Sequence, residues 1–291
     1  MRPLPPALIP GPLDPGLYVV STPIGNLRDI TLRALDILSL SDLVLAEDTR
    51  VAQKLLSVYG LSRPVERYDD HCDARVRPKV LQVLAEGGRV ALVSDAGTPL
   101  VSDPGYRLVK AVVEAGAPVY AAPGASAALA ALAVSGLPSD RFLFAGFTPP
   151  KPTGRRAFFE ELSSIRATLI FYETGPRLAE SLSDMLSVYG DRQAVVAREL
   201  TKLYETVLRG TLSELIDLLG AQTPRGEIVV LVGPGMETPV TAADLDQALS
   251  AALSQSTLSE AASSVAKALG LNRKSVYRRA LELKSQHADE E

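Results

Sequence analysis

The chain has 291 residues, 46% hydrophobic and 22% charged, an ordinary globular composition long enough for two domains with separate cores. Its formal net charge of −4 excludes a uniformly basic nucleic-acid binder but leaves room for a local basic patch. The single cysteine, Cys72, excludes an internal disulfide and fits a reducing cytoplasm, and no run of about eighteen apolar residues exists to cross a membrane.

Residues 1–16 hold six prolines and one basic residue and read as an extended, flexible arm. From Leu17 onward short β-branched runs alternate with helical patterns. Strands are expected at Leu17–Ser21, Leu43–Ala46, Arg89–Ser94 and Pro118–Ala122, with helices at Thr31–Ser39, from Thr49, at Lys79–Glu86 and at Tyr106–Ala115. That alternation predicts an N-terminal α/β domain over 17–122, a parallel sheet with helices on both faces. A second α/β domain is expected over 123–235. It opens with an alanine-rich helix, Ala125–Ser135, and continues with strands at Arg141–Phe147 and Ala167–Glu173 and a helix at Arg177–Tyr189. Strands in close succession at Ala194–Leu200, Glu205–Leu212 and Glu227–Val232, with one helix at Ser213–Leu219, make this sheet mixed and partly antiparallel. Gly233–Thr238 reads as a linker, and helical patterns at Ala242–Ser254, Leu258–Leu269 and Asn272–Lys284 suggest a helix-turn-helix over 240–285.

Loops that follow strands are where an open α/β sheet binds ligands. The first, Thr22 to Leu27, carries one glycine, Gly25, and lacks the G-x-G-x-x-G fingerprint. The second, Ser94 to Gly105 (SDAGTPLVSDPG), is longer than a turn requires and stiff with proline and glycine; it offers backbone polar groups and Asp95 to a polar ligand. The third, Pro123 to Ala128, puts small residues at a helix start, where free N–H groups favour an acceptor. A fourth segment, Lys151 to Arg156, reads as a loop with three cations in six residues, suited to phosphate contact. Between Lys267 and Lys284 six basic residues face Glu282 alone, a second basic patch. With two histidines, His71 and His287, and no ligand-type spacing, no metal site is expected, and Asp69-Asp70-His71-Cys72-Asp73 reads as a polar loop.

Taken together, LYVVSTPIGNLRDITLRALDIL and AEDTR within 17–50, SDAGTPLVSDPG at 94–105, PGASAALAALAVSGLP at 123–138 and GF at 146–147 resemble the ribosomal RNA small subunit methyltransferase I family of the tetrapyrrole methylase superfamily. FYETGPRL at 171–178, ARELTKLYE at 197–205 and RGEIVVLVG at 225–233 extend the resemblance, which covers about 17–285; Cys72 departs from it, standing where Asn is expected after His71. The resemblance implies two α/β domains with S-adenosylmethionine in the cleft between them, and a homodimer. It implies methyl transfer to the ribose 2′-oxygen of a cytidine in the decoding region of 16S ribosomal RNA, on the small ribosomal subunit. Carried over by position, the cofactor wall comprises Pro23, Ile24, Gly25, Asp95, Gly97, Thr98, Pro99, Ser126, Ala127 and Tyr172.

A ribose hydroxyl is a poor nucleophile, so a carboxylate should assist. Glu47, Asp48, Asp95, Asp103 and Glu173 are candidates, with Asp103 and Glu173 favoured as catalytic. Lys151, Arg155 and Arg156, with Arg273, Lys274, Arg278 and Arg279, are expected to hold RNA phosphates. A corrinoid or porphyrin methyltransferase of the same superfamily would share fold and cofactor without needing the basic segments. A ligand-sensing regulator reading DNA with its helix-turn-helix would bind a specific duplex and turn nothing over.

Overall fold

The computed structural model describes residues 12–220, 223–235, 242–269 and 271–288, with side chains as far as Lys284. The chain forms two compact units, divided after Gly235.

The first sheet of the first unit comprises β1 (Gly16–Val20), β2 (Leu43–Ala46), β3 (Val65–Arg67), β4 (Arg89–Val93) and β5 (Val119–Ala122). Its order is β3-β2-β4-β1-β5 and every pair is parallel. One face packs Tyr18, Val20, Val44 and Ala91 against α1 (Leu32–Leu40) and α2 (Thr49–Val58). The other packs Leu17, Leu45, Val90 and Leu92 against α3 (Asp73–Ala85) and α4 (Tyr106–Glu114). Burial on both faces is why these strands read as continuous apolar runs rather than alternating ones. Neighbours β1 and β4 send their following helices, α1 and α4, to opposite faces. The sheet therefore has its switch point between their carboxyl ends, where a crevice must open.

The second sheet, β6 (Phe142–Phe147), β7 (Thr168–Thr174), β8 (Gln193–Arg198), β9 (Thr206–Thr211) and β10 (Glu227–Val232), runs β6-β7-β10-β8-β9. Only β6 and β7 pair in parallel; the remaining pairs are antiparallel. Leu169, Phe171, Val196, Ile228 and Val230 face α6 (Pro152–Leu162), α7 (Gly175–Tyr189) and α8 (Leu212–Leu219). The alternate residues Ile170, Val195, Val229 and Leu231 face the alanine-rich α5 (Ala127–Ser135). Ile24, from the loop after β1, joins this second cluster and so ties the two sheets together.

In the second unit α9 (Ala242–Leu253), α10 (Leu258–Leu269) and α11 (Arg273–Ala288) enclose Leu249, Ala262, Val265, Val276, Ala280 and Leu283. A capping box starts α10: the Thr257 N–H donates to Glu260 Oε2 at 3.1 Å, and the Glu260 N–H to Thr257 Oγ1 at 3.4 Å.

Four local expectations change. Residues 1–11 lie outside the described residues, but the end of the expected arm is tied down: the Tyr18 hydroxyl donates to Asp14 O at 2.7 Å and Arg89 Nε to Leu13 O at 2.7 Å. Strand β3 was not expected; three residues are too short for a periodicity signal. Helix α3 starts at Asp73 rather than Lys79 and runs through Pro78, because Val76 and Val80, both fully buried, lie on either side of it. Their burial, roughly 1.5–3 kcal/mol each, offsets the hydrogen bond that proline forfeits. The segment Lys151–Arg156 is not a loop: α6 begins at Pro152, the first-turn position that proline tolerates best. Residues 236–238 of the expected linker lie outside the described residues.

Candidate active site

The loops that follow β1 and β4 meet at the switch point. Thr22 and Gly97 exchange backbone hydrogen bonds at 2.8 and 3.1 Å, and the Ser21 and Thr98 hydroxyls lie 2.9 Å apart. Thr98 Oγ1 donates onward to Ala125 O at 3.1 Å, so the third loop, leading into α5, is fastened to the second. Between Gly97 and Ser102 the backbone turns left-handed three times, at Gly97 (φ 79°), Leu100 (φ 72°) and Ser102 (φ 64°). For leucine and serine this conformation costs about 1–3 kcal/mol each, and such strain concentrates at ligand sites.

Over these loops lies a cavity of about 370 Å³, within the range of small-molecule sites. Ile24, Gly97 and Thr98 wall it from the first sheet, Ser126 and Ala127 from the start of α5, and Phe147, Tyr172 and Leu200 from the second. The Tyr172 ring is braced edge-on by Phe144 and Phe147, with centroids 4.7 and 5.4 Å away. Burial raises its hydroxyl pKa, against a hydrogen bond from the Ala128 backbone.

The charge in this cavity is one-sided. Asp95 and Asp103 line it, and no lysine or arginine does. Burial pushes the Asp103 carboxyl up to about 6; a hydrogen bond from Ser94 opposes this, and the like charges of Glu47 and Asp95 reinforce it. Burial also raises Glu47, with Asp95 and Asp69 adding to it. Glu227, at the rim, is paired with Lys202 at 3.0 Å. A cavity of this kind repels phosphate and favours a cationic or neutral polar ligand.

Residues 16–216 match the Tetrapyrrole (Corrin/Porphyrin) Methylases family, and residues 239–284 match the RsmI C-terminal HTH domain. A Mesorhizobium japonicum protein named ribosomal RNA small subunit methyltransferase I is 51% identical over 275 residues, 94% of each chain. The chain belongs to the ribosomal RNA small subunit methyltransferase I family. A protein of the same name from Erythrobacter litoralis is 54% identical over 274 residues (94% of this chain, 97% of that one). Another, from Escherichia coli O157:H7, is 43% identical over 270 residues (91% and 94%). Two solved structures share the fold alone. Uroporphyrin-III-C-methyltransferase from Thermus thermophilus aligns with TM-score 0.54 at 22% identity, over 75% of this chain and 93% of that one. The methyltransferase CobJ aligns with TM-score 0.57 at 21% identity, over 75% and 94%.

In this member of the ribosomal RNA small subunit methyltransferase I family, the residues singled out in the sequence separate into three groups. Ile24, Asp95, Gly97, Thr98, Asp103, Ser126, Ala127 and Tyr172 are brought together around the cavity. Pro23, Gly25 and Pro99 are not among the residues that line it. Gly25 packs so closely on the segment after β8 that a Cβ there would lie 2.5 Å from Lys202 Cγ and 2.8 Å from Thr201 Oγ1.

The third group is corrected. Glu173 follows Tyr172 on β7, so its side chain points to the opposite face of the sheet. There it is wholly buried, 2.7 Å from Arg177 Nη2, accepting from the Thr174 N–H at 2.7 Å and from the Thr148 and Ser181 hydroxyls. Glu173 contributes to the cavity lining, but these donors hold its carboxylate on the far face of the sheet, which favours Asp103 for the proton. Arg155 is likewise out of reach of RNA. Only 1% of its side chain is exposed, its Nε donates to Asp184 at 2.7 Å, and its Nη2 to Glu180 at 3.2 Å. Arg156, more exposed, donates its Nε to the other Asp184 oxygen at 2.6 Å. Burial works to raise the Asp184 pKa, but hydrogen bonds from Arg156 and Arg155 outweigh it and hold the carboxyl below the usual range. Lys151 is exposed just ahead of α6. On the second unit Arg279 grips Asp246 through Nε and Nη2 at 2.7 Å and Glu282 through Nη1 at 2.8 Å, which neutralises most of its charge.

Sequence reasoning missed the part of the wall that β8 and β10 supply: Ala197, Leu200, Gly226 and Val229. A signal was present in Gly226, whose φ of 98° lets β10 start hard against Glu199. Among the described residues no cluster of His, Cys, Asp and Glu is arranged to hold a metal, and no helix is long and apolar enough to cross a membrane. The Asp69–Asp73 segment forms a tight turn leading into α3: Asp69 Oδ1 accepts from the His71 and Cys72 N–H groups at 2.9 and 2.8 Å.

Proposed function

We propose that this chain transfers a methyl group from S-adenosylmethionine to the ribose 2′-oxygen of a cytidine in the decoding region of 16S ribosomal RNA, acting on the small ribosomal subunit as a cytoplasmic homodimer. The observation that carries the reading is likeness over 94% of the chain, second unit included, to proteins named ribosomal RNA small subunit methyltransferase I. The cavity supports it independently: the acids on its wall are Asp95, Asp103 and the paired Glu173 and Glu227, with no cation, and a sulfonium compound is a cation. A nucleotide cofactor bearing phosphates would meet the wrong sign of charge.

S-adenosylmethionine, when bound, supplies a methyl group that its sulfonium charge has already activated. The chain supplies position, proton handling and exclusion of water. The carboxylate of Asp95 balances the positive charge. The backbone N–H groups of Ser126 and Ala127 at the start of α5, which no helical carbonyl uses, take the polar atoms, and Thr98 stands beside them on the wall. Ile24, Phe147, Tyr172 and Leu200 dry the walls, so reacting groups held in line meet few competing waters. Gly25 lets the loop after β1 pack against Thr201 and Lys202, and Pro23 and Pro99 stiffen their loops by restricting φ. Asp103 accepts the hydroxyl proton as the ribose oxygen attacks; a carboxyl with its pKa pushed up to about 6 is a better base than an ordinary aspartate and remains ionised at neutral pH. The free cations of the second unit hold RNA backbone.

The test offers methyl-labelled S-adenosylmethionine and purified protein to small subunits isolated from cells lacking this modification, then maps the label by nuclease digestion and mass spectrometry. One labelled ribose 2′-oxygen on a decoding-region cytidine is expected. Label on a base, or incorporation only into a tetrapyrrole, would overturn the reading. Sedimentation of the free protein should give twice the chain mass; a monomer at working concentration would remove the dimer from it.

A further inference from the structure

The pattern of α11 sorts its residues by face. Val276, Ala280 and Leu283 are buried against α9 and α10. Arg273, Tyr277 and Leu281 recur every four residues along the outward face, with Lys274 and Arg278 forming the stripe beside them. These five residues line a groove of about 440 Å³. Among them Tyr277 is 39% exposed and Leu281 49% exposed.

We propose that this groove is a stacking site for an unpaired RNA base, with Tyr277 as the platform and Lys274 and Arg278 holding the phosphates on either side. The partner being RNA rests on the function proposed above; the choice of an unpaired base rests on the groove. Its five residues offer cationic donors, one aromatic face and one apolar side chain, and include no Asp, Glu, Asn or Gln. Apart from the tyrosine hydroxyl it presents no acceptor to a base edge. It therefore offers a flat face and cationic donors, which any unpaired base and its flanking phosphates can use. A duplex turns its base faces inward and would use the cations while leaving the ring idle; an unpaired base exposes both faces.

The neighbouring cations support this choice. Arg279, between Arg278 and Ala280, is drawn to the other side by Asp246 and Glu282. Arg273 donates Nη2 to the Ser259 hydroxyl at 3.2 Å, a contact that orients its guanidinium without neutralising it. Lys274 and Arg278 have no acidic partner among the described residues. The uncompensated charge of α11 thus borders the tyrosine on one helix face.

The experiment uses the full-length protein, with affinity for a fluorescent unstructured twelve-nucleotide RNA and for a duplex of equal length read by anisotropy at fixed ionic strength. The single strand should bind more tightly. Tyr277→Ala should weaken single-strand binding about tenfold and Tyr277→Phe should restore it, because the loss is one base–ring stack. Neither change should alter duplex binding. Arg278→Ala should lower the salt slope for the single strand by about 0.7, one phosphate contact. A thermal melt of each variant separates lost binding from lost folding. Unchanged single-strand affinity in folded Tyr277→Ala, or a wild-type preference for the duplex, would overturn the inference. Tyrosine-dependent single-strand binding without methyl transfer to the small subunit would overturn the proposed reaction and leave this site standing; methyl transfer with tyrosine-independent binding would do the reverse.

Discussion

Two regions of the first unit carry dense charge and use it in opposite ways. Beneath α6 and α7, Asp184 is shared by Arg155 and Arg156, and Glu173 by Arg177 and three further donors, so each carboxylate is saturated. In the cleft Asp103 is partly buried in a cavity that no lysine or arginine lines, while Asp95 stands exposed at its edge and accepts from the Asp48 N–H at 3.1 Å. Burial with a partner consumes a charge and makes it structural. Burial without one leaves it reactive and moves its pKa toward neutrality. Residue type does not distinguish the two regions; the geometry of partners does.

The sharpest test of this contrast is Asp103→Asn. Removing the base should slow single-turnover methylation by about 10²–10⁴-fold. The wild-type rate should rise with pH through about 6, as the carboxyl ionises, and the variant should lose that rise. Equal rates and profiles for the two proteins would erase the distinction between the regions.

Next in size is Asp184→Ala, which strands the buried Arg155 guanidinium and should cost about 3–5 kcal/mol in urea unfolding. The double variant Arg155→Met, Asp184→Leu should recover most of that loss, since apolar packing replaces an ion pair at little net cost. Glu173→Gln should cost about 1–3 kcal/mol by weakening the Arg177 contact while leaving the pH profile of methylation in place. A displaced profile would mean that Glu173 and not Asp103 handles the proton.

The smallest effect is on stability against pH. Asp103 has its folded pKa raised to about 6 against about 3.9 unfolded, so folding retains its proton. Stability relative to Asp103→Asn should therefore be greatest below pH of about 4 and fall as pH rises through about 6. Urea midpoints for both proteins across that range would check the sign.

Much of the fold was legible before any coordinates. The parallel first sheet, the mixed second sheet and the three C-terminal helices follow from period and punctuation, because these elements are long enough for burial to imprint a pattern. Where burial left no pattern the reading failed. Three-residue β3 is too short to show one, the helix expected from Lys79 starts earlier and runs through Pro78, and the segment expected as a loop over Lys151–Arg156 begins a helix at Pro152.

For the site, the sequence by itself determined which loops follow which strands, and resemblance to the family placed Gly97, Thr98, Ser126 and Ala127 on one wall, where the structure brings them together. It also determined, through resemblance, the family. Only the tertiary structure separated Asp103 from Glu173 and Arg155 from Arg278. A carboxylate or a guanidinium has the same charge in any sequence; whether it remains available depends on donors, acceptors and water brought close by segments far apart in the chain, and that is decided when the sheets and helices pack.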